Sequence, residues 1–365
     1  MERAAIIVAV IVAVMFAAAG AGAFHFHGMN LQFSGAAAPQ VEVQAGKLAS
    51  QIYAANELNV TNAAAIVRIT PEDRTDIVLE IDNPGRAPMP QVRLSGGELV
   101  VDGRLQGRIL NCRDDGGADL LGYGGVAPEQ MPVITVRMPR SVDLDIDGAV
   151  TAEVGAASSV KLDRSGCGRA VLADISGALN LDSSGSGEVR AGAVGGGAEI
   201  DMSGSGDVWL GAVTGGLNID MAGSGAVEAA SVSGELNVDK AGSGDVRVNG
   251  GALTLAEIDI AGSGEVTAPT VSAQRANIQI AGSGNVSLGA VGDLNVEIMG
   301  SGDVRIASVS GQNRQEIAGS GDVTIGRSAA PATATAAPAA APASSSPPAG
   351  APPPLPPRPQ APPAP

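Results

Sequence analysis

A Gly-Ser-Gly triplet recurs along the second half of this chain at an almost constant interval. Its first glycine falls at Gly185, Gly204, Gly223, Gly242, Gly262, Gly282, Gly300 and Gly319, and Gly166-Cys167-Gly168 is a ninth copy with Cys in place of Ser. Successive intervals are 19, 19, 19, 19, 20, 20, 18 and 19 residues, and a degenerate copy at Asp147-Gly148 lies 18 residues before Gly166. A fixed period in this range marks stacked repeats, because one such unit cannot bury its apolar face without neighbours. The chain is therefore expected to coil rather than to close around one compact core.

With the first glycine of each triplet as position zero, the apolar residues fall into columns. Position −4 holds Leu162, Leu181, Ile200, Ile219, Val238, Ile258, Ile278 and Val296. Position +4 holds Val from Val189 to Val323, position +6 alternates between Ala and larger aliphatics such as Leu210 and Ile306, and a further Val or Ile recurs near +9, as in Val194, Val213 and Val232. Polar residues lie between. Two short alternating strands thus flank the glycine corner and a third short segment follows. Glycine fits the corner because it accepts positive φ without steric cost. The serine between the glycines is expected to form a hydroxyl ladder that satisfies corner backbone groups. About ten coils at the ~4.8 Å strand spacing give a stack roughly 50 Å long. The composition agrees: aromatics are 2% of the 365 residues and Gly numbers 51, which suits a thin aliphatic core.

The repeated (Ala or Ser)-Gly-Ser-Gly-(Asp or Glu)-Val, preceded by strands like Leu236-Asn237-Val238-Asp239, resembles the bacterial family described as putative auto-transporter adhesin, head GIN domain. The resemblance covers residues 142 to 326. It implies an exported protein whose fold is a right-handed parallel β-helix, all-β and solenoidal, and it brings no catalytic residue set.

The regions around the repeats differ from them. Residues 1–27 read as a signal peptide or an N-terminal membrane anchor: Arg3 precedes an apolar run from Ala4 to Phe24, with Ala21-Gly22-Ala23 as a small-residue cleavage site. Residues 28–46 read as a linker. Residues 47–140 form an irregular β-rich module or cap, with strand-like runs such as Asp76–Ile81 and turn signals at Asn83-Pro84-Gly85. Residues 141–327 are the β-helix repeats. The last coil places Asn313 and Gln315 where other coils carry aliphatic residues, as a solvent-facing terminal coil should. Residues 328–365 are a Pro/Ala-rich tail holding 14 of the 23 prolines, expected to be a disordered spacer. Within it, residues 352–359 have the form of a polyproline ligand, for which the spacer reading is preferred.

Charge narrows the function. The net charge of −16 speaks against nucleic acid and against docking on an anionic membrane surface. Two acidic columns run along the repeats. Position −3 carries Asp163, Asp182, Asp201, Asp220, Asp239, Asp259, Glu297 and Glu316, interrupted by Gln279, and position +3 carries Glu188, Asp207, Asp245, Glu265, Asp303 and Asp322. Hard cations such as Ca²⁺ would relieve their repulsion. The reading preferred is a solvated acidic face that keeps the stack soluble. Position −5 is rich in Asn, with Asn180, Asn218, Asn237, Asn277 and Asn295, and is read as an amide ladder in preference to a sugar-binding strip. Trp209 at +5 is an outward-facing aromatic with no partner in its column.

Catalytic chemistry has little material. The two histidines, His25 and His27, sit beside the export signal, so no His-dependent triad or His metal site can be built in the repeats. No phosphate loop or dinucleotide fingerprint occurs. No catalytic, cofactor-binding or metal residue is assigned. Cys112 and Cys167 are read as isolated small buried residues, although an oxidising compartment permits their pairing. The expectation is a non-enzymatic envelope protein, structural or adhesive, with an envelope glycan or another envelope protein as partner and residues 4–24 as a membrane anchor. The alternatives are a polysaccharide-acting β-helix enzyme and a polymer-forming envelope scaffold.

Overall fold

The computed structural model of the chain describes residues 24–26, 29–31 and 43–326. Apart from a short 3₁₀ turn at Pro128–Gln130, every regular element in this range is a strand. The repeats form a parallel β-solenoid. Each coil contributes one strand to a first face, turns at Gly-Ser-Gly, contributes a strand to a second face, and closes through a short third side.

The register is in phase from coil to coil. On the first face, Leu162 stacks on Leu181, Leu181 on Ile200, Ile200 on Ile219 and Ile219 on Val238. On the second, Val189 stacks on Val208, Val208 on Val227 and Val227 on Val246. The third side is held by single bridges, Ala157 to Ile175, Ile175 to Val194 and Val194 to Val213. These are the −4, +4 and +9 columns of the sequence, and they share one continuous core. In several coils the strand runs on through the turn from the second face to the next first face, as in Ala226–Gly242 and Asn285–Gly300.

Close contact demands glycine at both corner positions: a Cβ on the first glycine Gly185 would lie 1.8 Å from the carbonyl oxygen of Gly166. The first has positive φ in many coils, for example 138° at Gly242 and 145° at Gly262. The second has no positive φ and is demanded by contact alone. A Cβ on Gly187 would lie 1.9 Å from the carbonyl oxygen of Gly168, and one on Gly225 would lie 1.9 Å from that of Gly206. The central serine contributes through its backbone. Ser186 N–H donates to Gly166 O at 3.0 Å, and Ser283 N–H to Gly262 O at 2.9 Å. The expected hydroxyl ladder does not form, because Ser186 and Ser224 point into solvent and the corner is already satisfied by main chain.

The stack begins earlier than the triplets do. Strand Glu57–Glu72 pairs in parallel with Ser141–Val154 along both halves, setting Leu58 beside Leu144 and Ile69 beside Val154. Its corner uses Asn62 at φ 48° instead of glycine, an exchange that Asn tolerates. Residues 73–140 are inserted between these two coils. Glu98–Asp102 and Val133–Pro139 cover the two halves of Glu57–Glu72, and the antiparallel strands Gln91–Ser95, Ile77–Asn83 and Gly46–Tyr53 finish that end. A three-stranded sheet of Ile109–Cys112, Ala118–Leu120 and Gly124–Val126 packs on the outside of the first corners through a second, small core containing Leu105, Leu120, Met131 and Ala149. There Cys112 and Cys167 form a disulfide with Cα atoms 5.6 Å apart. This corrects the expectation of isolated cysteines. The inserted sheet folds back onto the one corner where Cys replaces Ser, which a separation of 55 residues does not reveal.

Candidate functional site

On the first face, alternation turns positions −5 and −3 outward. The −3 carboxylates form one column: Asp145 beside Asp163, Asp163 beside Asp182, then Asp201, Asp220, Asp239 and Asp259 in direct register. Gln279 breaks the acidity, and Glu297 and Glu316 resume it. Lys161 is paired with Asp143 at 3.4 Å and Asp163 at 3.1 Å. From Asp182 to Asp259 no carboxylate of the column has an ion-pair partner among the described residues.

Partial burial, with like-charged neighbours second, raises proton affinity at three carboxyls of this face. The carboxyls of Asp145, Asp201 and Asp259 lie above the ordinary aspartate value, first through partial burial and then through their neighbours. For Asp201 those neighbours are Asp220, Glu199 and Asp182, and for Asp259 they are Glu257 and Asp239.

The −5 column is not the amide ladder expected from its asparagines. Asn180 Nδ2 donates to Glu199 Oε2 at 3.2 Å, whereas Asn218 Oδ1 is buried without a partner. The intruding Glu199 and Glu257 interrupt the amides, and neighbouring asparagines make no bond to one another. Asn237 and Asn295 are left exposed beside the carboxylates.

The +3 column is structural instead. Asp207 Oδ1 accepts from Ala226 N–H at 3.0 Å, Asp245 Oδ1 from Glu265 N–H at 2.9 Å, and Asn285 Oδ1 from Asp303 N–H at 3.0 Å. Each side chain closes the gap that the glycine corner leaves in the main-chain ladder. Trp209 lies on the second face, where the Arg190 guanidinium stacks 4.5 Å from its ring centre. Arg190 in turn pairs with Glu188, which also holds Arg169 at 2.8 Å. The tryptophan that the sequence left without partners is therefore half-buried under a cation.

The interior holds two residues that the column reading passed over. Position −2 also points inward, and it runs Ile146, Arg164, Ser183, Met202, Met221, Lys240, Ile260, Ile280, Ile298. Lys240 is 0% exposed and Arg164 4%. Burial lowers the Lys240 amine, against the smaller opposing pull of Asp245 and Glu265, and takes the Arg164 guanidinium down to about 10. Arg164 Nε and Nη1 have no hydrogen-bond partner. The signal that could have found them is the same alternation: if −6 and −4 face inward, −2 must as well.

Among the described residues no group of three or more His, Cys, Asp and Glu could hold a metal ion. The hollows are shallow: one of about 480 Å³ lies beside Arg68, Thr70, Glu153 and Val171, and one of about 440 Å³ lies along Thr254, Ser272, Gln274 and Ser308. No described helix is long and apolar enough to cross a membrane. Residues 4–23 of the apolar run, His27 and the Pro/Ala-rich tail lie outside the described residues, and the side chains of Phe24 and His25 are likewise not described.

Fold and surface together define a class: parallel β-solenoids with an acidic column along one face. The chain belongs to the family described as "Putative auto-transporter adhesin, head GIN domain", whose model matches residues 91–250 and 214–309. Comparison with functionally curated proteins gave no match. Among solved structures, a "putative adhesin" from Parabacteroides distasonis is similar at 13% identity, over 78% of this chain and 99% of that one, with a TM-score of 0.39. A "Putative lipid binding protein" from the same organism is 16% identical over 78% and 97%, with a TM-score of 0.35. A "putative adhesin" from Bacteroides fragilis is 14% identical over 79% and 99%, with a TM-score of 0.27.

Proposed function

We propose that this chain is a non-enzymatic, exported envelope protein whose first face binds a partner bearing cationic groups, an envelope glycan or another envelope protein. The observation that carries this reading is the run Asp182, Asp201, Asp220, Asp239 and Asp259, stacked in register with no ion-pair partner among the described residues. Like charges set directly opposite are destabilising. The face therefore gains most from a partner that supplies positive charge at matching intervals, and the neighbouring asparagine amides of the −5 column add hydrogen bonds. Membership in a family described as adhesin supports a role in attachment. Residues 4–24 would hold the chain at the membrane, and the Pro/Ala-rich tail would act as a spacer.

The test is binding of the purified full chain to isolated envelope fractions across a salt series. Wild type should bind at low salt and release as salt rises. The triple variant Asp201→Asn, Asp220→Asn, Asp239→Asn should lose that binding while keeping its β-sheet circular dichroism. Equal binding by wild type and variant would refute the reading. Incubation with a glycan panel and reducing-end detection tests the enzymatic alternative, for which no product is expected. Cell fractionation with mass measurement of the mature chain tests the anchor.

A further inference from the structure

The final coil leaves an edge that the other end of the stack does not have. Strand Asn313–Gly319 pairs with Asn285–Gly300 on one side and with nothing among the described residues on the other. All seven of its residues are exposed. Apolar surface is left open there too: Ile317, in the −2 column, is 42% exposed, whereas Ile298 beneath it is 0%. The opposite end is finished by antiparallel strands, Gly46–Tyr53 and Gln91–Ser95, and presents no complete coil.

The sequence of this edge is self-complementary. Arg314 and Glu316 flank Gln315, and both project outward. Arg314 is a cation in a column that carries Asn or Glu at every coil from Asn180 to Asn295. Neither Arg314 nor Glu316 has an ion-pair partner among the described residues.

We propose that this edge docks a second copy of the chain, antiparallel, about a two-fold axis through Gln315. In that register Arg314 of each copy lies opposite Glu316 of the other, giving two ion pairs on the outer surface. On the inner side Ile317 meets Asn313, and the two Gln315 amides face each other, where each can both donate and accept. Centring the axis on Arg314 or Glu316 instead would oppose like charges. The pairing is isologous, so it consumes the edge and stops at two copies. This accommodates the polar Asn313 and Gln315: they disfavour unlimited stacking on an apolar end, yet they fit a single closed contact. A second copy suits the edge better than the residues beyond Gly326, because that segment is rich in proline, which lacks the N–H a strand must donate.

The test uses the full chain carrying Gln315→Cys, oxidised and run on a non-reducing gel. Residues on the axis face their own copies, so a disulfide-linked dimer is expected. Adding Arg314→Glu should reduce dimer yield about tenfold, since it opposes like charges twice. Adding Glu316→Arg to that variant should restore it, because the pairs are rebuilt with reversed sense. A control Ser301→Cys, one coil away from the edge, should not dimerise. Absence of the Gln315→Cys dimer, equal yield in the charge-reversed variant, or failure of the swap to restore it would each overturn the proposal. So would a dimer seen only after residues 327–365 are removed, which would assign the edge to the tail.

Discussion

Arg164 and Lys240 occupy the same inward column four coils apart and make the same bond. Arg164 Nη2 donates to Gly168 O at 2.8 Å, and Lys240 Nζ donates to Gly244 O at 2.5 Å. In both cases the acceptor is the second corner glycine of the residue's own coil. A hydrogen bond to one carbonyl is a poor substitute for the hydration of a cation, and breaking or replacing such buried charges moves stability by several kcal/mol.

Replacement of Lys240 by Met is expected to stabilise the fold, by about 1–4 kcal/mol at neutral pH. Met221 occupies the same position one coil below, so the shape is already accommodated. The pH dependence fixes the cause. The folded-state pKa of Lys240 lies below its ordinary 10.5, so the unfolded chain binds the proton more tightly. Stability should therefore rise with pH from the lowered value up to about 10.5. Thermal melts between pH 7 and 10 should show that rise in wild type and a smaller one in Lys240→Met. A less stable Met variant would mean the ammonium is better solvated than its burial implies.

The acidic face predicts the opposite sign. Asp201 has a folded-state pKa above the ordinary 3.8. Its contribution is thus favourable below the unfolded value and is lost as pH rises through the raised one. Acidification from pH 7 toward 4.5 should raise the melting temperature through Asp201 and the likewise raised Asp145 and Asp259, most clearly at low salt. The double variant Asp201→Asn, Asp220→Asn should melt higher at pH 7, by about 0.2–1 kcal/mol and toward the lower end because water screens the face. It should also show a flatter pH response.

Reduction of the Cys112–Cys167 disulfide should free the inserted three-stranded sheet from the first corners. Loop closure over 55 residues gives a stabilisation of about 2–4 kcal/mol. A Cys112→Ser, Cys167→Ser variant should accordingly melt lower in denaturant. Limited proteolysis should cut first between residues 103 and 131, leaving the later coils intact. Equal midpoints for the oxidised and reduced protein would contradict this.

The corner glycines and serines should separate cleanly by mutation. Gly225→Ala places a methyl 1.9 Å from Gly206 O, which overpacks the stack and should cost about 1–3 kcal/mol or more. Ser224→Ala should be nearly neutral, because the Ser224 side chain is exposed and its N–H bond to Gly204 O at 3.2 Å is kept. Chemical denaturation of the two single variants provides the comparison.

Period and alternation were enough to determine the solenoid. An interval of 18 to 20 residues between Gly-Ser-Gly corners forces equivalent positions into columns, and columns of Val and Ile can only be buried by stacking. They also placed the −3 carboxylates on one surface, since every coil repeats the same facing. What the pattern did not carry depended on contacts that have no period. The first coil, Glu57–Glu72, was concealed because its corner is made by Asn62 and its continuation follows only after residues 73–140. Arg164 and Lys240 were concealed because charged residues are normally read as outward, whereas the facing of a strand position is set by its neighbours and not by its own polarity. The pairing of Cys112 with Cys167, and the covering of Trp209 by Arg190, required segments to be brought together in space. So did the distinction between the two acidic columns: side chains at +3 meet main-chain N–H groups across the corner, while those at −3 meet each other on an open face.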